Sequence, residues 1–181
     1  MNLRRHTIAI LSVMLAICLE SPGARADFVP PRPSPSATVS QTIGTTNLAL
    51  TYSRPGVKGR AIWGALVPYD STWRTGANEA TTISFSKDVT VEGEPLPAGT
   101  YALFTIPKEA EWIIVFNKNA QQWGAFDYNA SQDALRVKVK PQAASPQEWM
   151  SFSFEDLSSN SATVVLRWEK LAVPFKIQTA Q

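Results

Sequence analysis

The 181-residue chain carries 17 Lys and Arg against 15 Asp and Glu, with 13 prolines, 9 glycines, one cysteine and one histidine. So even a balance of charge supplies no concentrated basic stripe, and a nucleic-acid partner is not indicated. A single thiol rules out an internal disulfide.

The N-terminus reads Met1-Asn2-Leu3-Arg4-Arg5-His6-Thr7, a basic start that runs straight into the apolar stretch Ile8 to Leu19. Wound as a helix at ~1.5 Å per residue, that stretch reaches about 18 Å, short of the ~30 Å hydrocarbon core, so no stable membrane span is expected. Ser21, Pro22 and Gly23 break the helix, and Ala24-Arg25-Ala26 offers small side chains where a signal peptidase inspects them. Residues 1–26 are therefore expected to be a cleaved signal peptide, which makes the protein periplasmic or extracellular. Leu15-Ala16-Ile17-Cys18 gives a minor alternative, a lipoprotein acylated at Cys18, against which Ile17 stands because a small residue normally fills that position. An uncleaved anchor is the third possibility.

Cleavage after Ala26 leaves 155 of the 181 residues, enough for one domain with a hydrophobic core. It removes Arg4, Arg5, Arg25 and Glu20, so that 14 basic residues face 14 acidic ones. Cys18 and His6 leave as well, and stability must then come from burying apolar surface and pairing strands.

Phe28 to Ser36 holds Pro30, Pro31, Pro33 and Pro35, which fix φ and remove backbone donors; residues 27–36 read as a Pro-rich linker. From Ala37 the apolar pattern has period two, the signature of strands with one buried face. Val39 and Ile43, then Leu48, Leu50 and Tyr52, form a hairpin about Gly44-Thr45-Thr46. Ile83 and Phe85, then Val89 and Val91, read as a second hairpin about Ser86-Lys87-Asp88. Tyr101 to Ile106 and Trp112 to Phe116 are nearly continuous apolar runs, as expected of strands central in a sheet or buried on both faces. Leu135, Val137 and Val139 alternate with Arg136, Lys138 and Lys140, whose basic side is most simply solvated. Trp149 to Phe154, Thr163 to Trp168 and Val173 to Ile177 complete about ten short strands. No stretch sustains a 3.6-residue period, so residues 37–181 are expected to be all-β, a single antiparallel β-sandwich of jelly-roll or Ig-like topology. Arg54 to Ala80 and Lys118 to Ala134 resist strand assignment, and ordered loops of that length often carry function.

The first of these loops contains Arg54-Pro55-Gly56-Val57-Lys58-Gly59-Arg60-Ala61-Ile62-Trp63-Gly64, Val67-Pro68-Tyr69 and Trp73-Arg74-Thr75-Gly76-Ala77-Asn78-Glu79-Ala80-Thr81. With Leu96-Pro97-Ala98-Gly99-Thr100-Tyr101 and Gln122-Trp123-Gly124, the chain from about Ser36 to Ile177 resembles the secreted bacterial domain of unknown function family 2911. The resemblance implies export and an all-β fold and marks Arg74, Asn78 and Glu79 as signature residues. It brings no activity with it.

Arg54, Arg60, Trp63, Tyr69, Trp73, Arg74, Asn78 and Glu79, with Trp123 and Tyr128 from the second loop, are the candidate ligand-binding residues. Arginine forks bind carboxylates or phosphates, tryptophan faces stack on sugars or cations, and Asn and Glu fix hydroxyls. The competing reading is structural: Trp63 and Trp73 plug one end of the sandwich while Arg74 pairs with Glu79. Trp112, Trp149 and Trp168 lie within strand patterns and are expected in the core.

A mature chain without histidine or cysteine has no Ser-His-Asp triad, no Cys nucleophile and no ordinary zinc site. Gly56-Val57-Lys58-Gly59-Arg60 lacks the spacing of a phosphate loop, and no Asp-x-Asp run suggests calcium. No cofactor or metal is expected. Catalysis is left with carboxylates, Glu79 with Asp70 or Asp127, as in glycoside processing. The leading expectation is a non-catalytic or envelope-associated β-sandwich that binds a small polar, carbohydrate or cell-envelope ligand; a Glu79-dependent glycoside-processing enzyme and a purely structural exported domain are the alternatives.

Overall fold

The computed structural model describes residues 30–179, so the expected signal peptide, Cys18 and the start of the expected Pro-rich linker lie outside the described residues. The ten strands are β1 (Ser36–Ile43), β2 (Thr46–Ser53), β3 (Thr82–Phe85), β4 (Val89–Val91), β5 (Glu94–Leu96), β6 (Gly99–Ile106), β7 (Trp112–Asn117), β8 (Asp133–Val139), β9 (Gln142–Glu155) and β10 (Ser161–Thr179). They form two antiparallel sheets, a six-stranded one ordered β1-β2-β3-β6-β7-β8 and a four-stranded one ordered β5-β4-β10-β9. The chain is thus all-β and sandwich-like, and its only helical element among the described residues is a single 3-10 turn at Ala130–Gln132.

Alternation explains the layering. Leu48, Leu50, Ile83, Phe85, Leu103, Ile114 and Phe116 point from the larger sheet into the space between the layers. They meet Val91, Phe152, Val164, Leu166, Phe175 and Ile177 from the smaller sheet, all of them buried. The two apolar runs, β6 and β7, are central in the larger sheet and carry a second apolar cluster on their outer face, Ala102, Phe104 and Val115 with Ala80. Ala125 and Tyr128 pack against that cluster, so the second long loop lies over this half of the sheet.

Three elements differ from the pattern reading. β3 and β4 do not pair; β3 lies between β2 and β6 while β4 pairs with β5 and β10, so Ser86-Lys87-Asp88 is a crossing from one sheet to the other. Period two states which face of a strand is buried and leaves its neighbour open. The hairpin in this region is β4–β5, whose Glu92 and Gly93 both adopt positive φ (51° and 88°), as a type I′ turn requires. The last two predicted strands are one, β10, with register shifts around Glu169, whose φ of 56° marks a bulge rather than a chain reversal. Trp149, expected in the core, is 38% exposed because β9 turns Met150 and Phe152 inward, and Lys58 Nζ sits 5.7 Å from its ring centroid.

Candidate functional site

The Arg54 to Ala80 loop divides its candidate residues between core, loop framework and surface. Trp63 and Trp73 join Trp112 and Trp168 in one cluster between the sheets. Trp63 meets Trp112 edge-on at 5.0 Å and Trp168 at 5.6 Å, while Trp73 stacks on Trp168 at 5.9 Å with a 20° tilt. Trp73 is buried in this cluster and Trp63 is partly buried against it. Arg54 Nε donates to the Met150 carbonyl at 2.7 Å, tying the loop to β9. Arg60 folds back on its own loop, Nη2 donating to the Gly56 carbonyl at 2.6 Å and Nε to that of Val57 at 3.1 Å. Tyr69 lies against Gly64, where a Cβ would stand 2.9 Å from its ring and where φ is +75°.

Arg74 follows Trp73, which pairs with Thr105 in an isolated bridge and points inward; Arg74 itself is half-buried. It does not pair with Glu79. Its Nε is buried without an acceptor, and burial lowers its pKa. Tyr128 belongs to a separate arrangement: its hydroxyl donates to Asp133 Oδ2 at 2.7 Å and accepts from Arg136 Nη2 at 2.7 Å. Burial first, then the Asp133 carboxylate, pushes the phenol up to about 12.

Asn78 and Glu79 are where the two long loops meet. Ala80 N donates to the Gln122 carbonyl and Gly124 N to the Asn78 carbonyl, both at 3.0 Å, and Glu79 bridges Trp123 antiparallel. Asn78 adopts a φ of 58°, a region that asparagine tolerates better than most residues. Its Nδ2 donates to the Ser34 carbonyl and to Ser53 Oγ, each at 3.2 Å, so it clips the segment before β1 to the end of β2.

The Glu79 carboxylate faces a groove of about 720 Å³ lined by Arg32, Thr51, Glu79, Thr82, Gln121 and Trp123 among others. Arg32 Nη1 donates to both Glu79 oxygens, at 2.6 and 2.8 Å, and each side chain remains about half exposed (50% and 49%). That hydrogen bond, with one from the backbone, holds the Glu79 carboxyl below the usual carboxylate range. Trp123 is 55% exposed on the same wall. Glu79 is the one acid lining the groove among the described residues. Asp70 sits elsewhere, 3.3 Å from Lys108 Nζ, and neither it nor Asp127 reaches the groove wall.

A family model described as "Protein of unknown function (DUF2911)" matches residues 34–177. The chain belongs to the DUF2911 family. No curated protein and no solved structure matches it.

Of the DUF2911 chain's candidate residues, Glu79 and Trp123 come together in the groove and Asn78 braces it. Arg54, Arg60, Trp63, Tyr69, Trp73, Arg74 and Tyr128 do not line it. Arg32 was not among the candidates. One sequence signal could have found it, since Arg32 is the sole charged residue between Phe28 and Ser36, a stretch otherwise built of prolines and small or apolar residues.

Proposed function

We propose that this DUF2911 protein is a non-catalytic ligand-binding domain, exported to the periplasm or beyond, whose Glu79–Trp123 groove takes a polar ligand through a cationic group. The observation that carries this reading is the Arg32 guanidinium seated on Glu79: the chain supplies its own cation to a carboxylate that has no other side-chain partner among the described residues. An exposed pair of this kind contributes about 0–1 kcal/mol, so an incoming ammonium or guanidinium can replace it. The exposed Trp123 ring, beside the same carboxylate, adds an electron-rich face on which a cation is attracted.

Catalysis draws no comparable support. A two-carboxylate mechanism needs a second acid roughly 5 to 9 Å from the first, and among the described residues the groove wall offers Glu79 alone. A carboxyl whose pKa lies below the ordinary range is also a poor proton donor near neutral pH.

Thermal denaturation with arginine amide as the probe tests the reading, because a ligand of the native state raises the melting temperature. In Arg32→Ala, which frees Glu79, arginine amide is expected to raise the melting temperature saturably and more than in the wild type. Glu79→Gln is expected to abolish the rise while leaving the unliganded melting temperature within about 2 °C of wild type, as for a surface change. A folded Arg32→Ala protein that does not respond, or a Glu79→Gln protein that responds equally, overturns the proposal.

A further inference from the structure

We infer that the ligand is an oligosaccharide carrying free amino groups, laid along the uncovered outer face of the six-stranded sheet with one ammonium on Glu79; this rests on the cation-binding reading of the groove. The six-stranded sheet has two unlike outer halves. Over β6 and β7 the outer face is apolar, Phe104 and Val115, with Ala125 and Tyr128 packed on it. Over β1, β2 and β3 it is polar and open.

Strand register sets out that open half. Thr38, Thr51 and Thr82 stand in one row across β1, β2 and β3, and Ser40, Ala49, Ser84 and Thr100 in the next, which extends to β6. A second groove of about 540 Å³ runs over the second row, lined by Ser40, Thr42, Asn47, Ser84, Ser86 and Thr100 among others and, among the described residues, by no charged one. The two grooves adjoin, since Thr51 and Ala49, and Thr82 and Ser84, are two residues apart on their strands, about 7 Å on the same face. Some hydroxyls are spent on each other: Thr38 Oγ1 and Thr51 Oγ1 lie 3.1 Å apart, and Thr42 Oγ1 donates to Asn47 Oδ1 at 2.9 Å. Those of Ser40, Thr82 and Thr100 have no protein partner among the described residues, leaving donors and acceptors free for a ligand.

Charge narrows the ligand class. A polyanion would meet the Glu79 carboxylate with no cation along the second groove to offset it. A densely cationic peptide would need more acids than one. A neutral, hydroxyl-rich scaffold with sparse positive charge matches what is present: hydroxyl against hydroxyl on the sheet, the apolar side of a ring against Trp123, an ammonium at Glu79.

The test is calorimetric titration of the Arg32→Ala protein with β-1,4-linked N-acetylglucosamine oligomers of one to six units in which a single unit keeps a free amine, their fully N-acetylated counterparts, and arginine amide. Affinity is expected to rise about tenfold or more from monomer to tetramer, as a second contact region is engaged, and to fall by a similar factor on N-acetylation, which removes the charge. Ser84→Leu, which fills the second groove without adding charge, is expected to flatten the dependence on length, because Ser84 lines the second groove and not the first. A tetramer that binds no tighter than the monomer, or an N-acetylated series that binds as well as the amine series, overturns the inference while arginine amide binding upholds the cation groove. Failure of arginine amide and glucosamine alike overturns both.

Discussion

Arg74 keeps its guanidinium partly buried without an ion pair among the described residues, and desolvation alone draws its pKa down. Removing such a charge while keeping an aliphatic stem of similar length relieves a cost, so Arg74→Met is expected to leave the melting temperature unchanged or higher. A fall of several degrees would mean that the guanidinium makes a stabilising contact after all. Tyr128 gives a spectroscopic counterpart. Of the chain's four tyrosines it is the one pushed up to about 12. An ultraviolet titration of phenolate is expected to show a most alkaline step that disappears in Tyr128→Phe. Because the folded-state value is raised, the associated stability is present below the ordinary value of ~10 and is lost as pH climbs through the folded one. Sequence alone could not sort residues of one type by role. Trp63 and Trp73 share a loop that looks like a binding platform, yet both are consumed by the core, while Trp149, inside a strand pattern, is partly exposed. Composition supplies the aromatic groups, and only the fold decides which of them keeps a free face.

Strand faces were legible where alternation was strict, as in β1, β2 and β8, because period two translates directly into buried and solvated sides. Strand partners were not, and the β3–β4 crossing shows why. Phe85 and Val89 both point into the core from different sheets, a pattern that a hairpin would share. β5 escaped notice because a three-residue Glu94-Pro95-Leu96 strand is too short to show a period. Two glycines at turns give this level a quantitative check. Gly93 has φ +88° and open space where a Cβ would go, so Gly93→Ala is expected to cost about 1–2 kcal/mol, the backbone penalty alone. Gly64→Ala adds to a φ of +75° a Cβ 2.9 Å from the Tyr69 ring, and urea denaturation is expected to rank it the more destabilising of the two. The reverse order would mean that Tyr69 moves aside at no cost.

For the whole molecule, acid is the informative variable. Arg32 holds Glu79, and Arg167 with Ser153 holds Glu155, below the usual carboxylate range. A depressed folded-state value means stability that is present above the unfolded value and lost as pH falls through the folded one, so both contributions fade below about pH 4. Glu155→Gln is expected to lower stability at pH 7 slightly and to reduce the loss between pH 5 and pH 3 in urea titrations. The effect is small because each pair is partly exposed. An unchanged pH profile would show that the Arg167 pair contributes nothing to folding.

Arg32 also turns the groove into a contest. It reaches Glu79 from only a few residues before β1, and a tether that short keeps a rival at an effective concentration on the order of millimolar. On the proposed reading an outside cation must outcompete that rival, and the groove is expected to favour ligands that hold it at additional points over weak, abundant ions. The DUF2911 match begins at residue 34, so a chain trimmed to that span lacks Arg32 and leaves Glu79 bare. Such a fragment would bind more and discriminate less than the protein it came from.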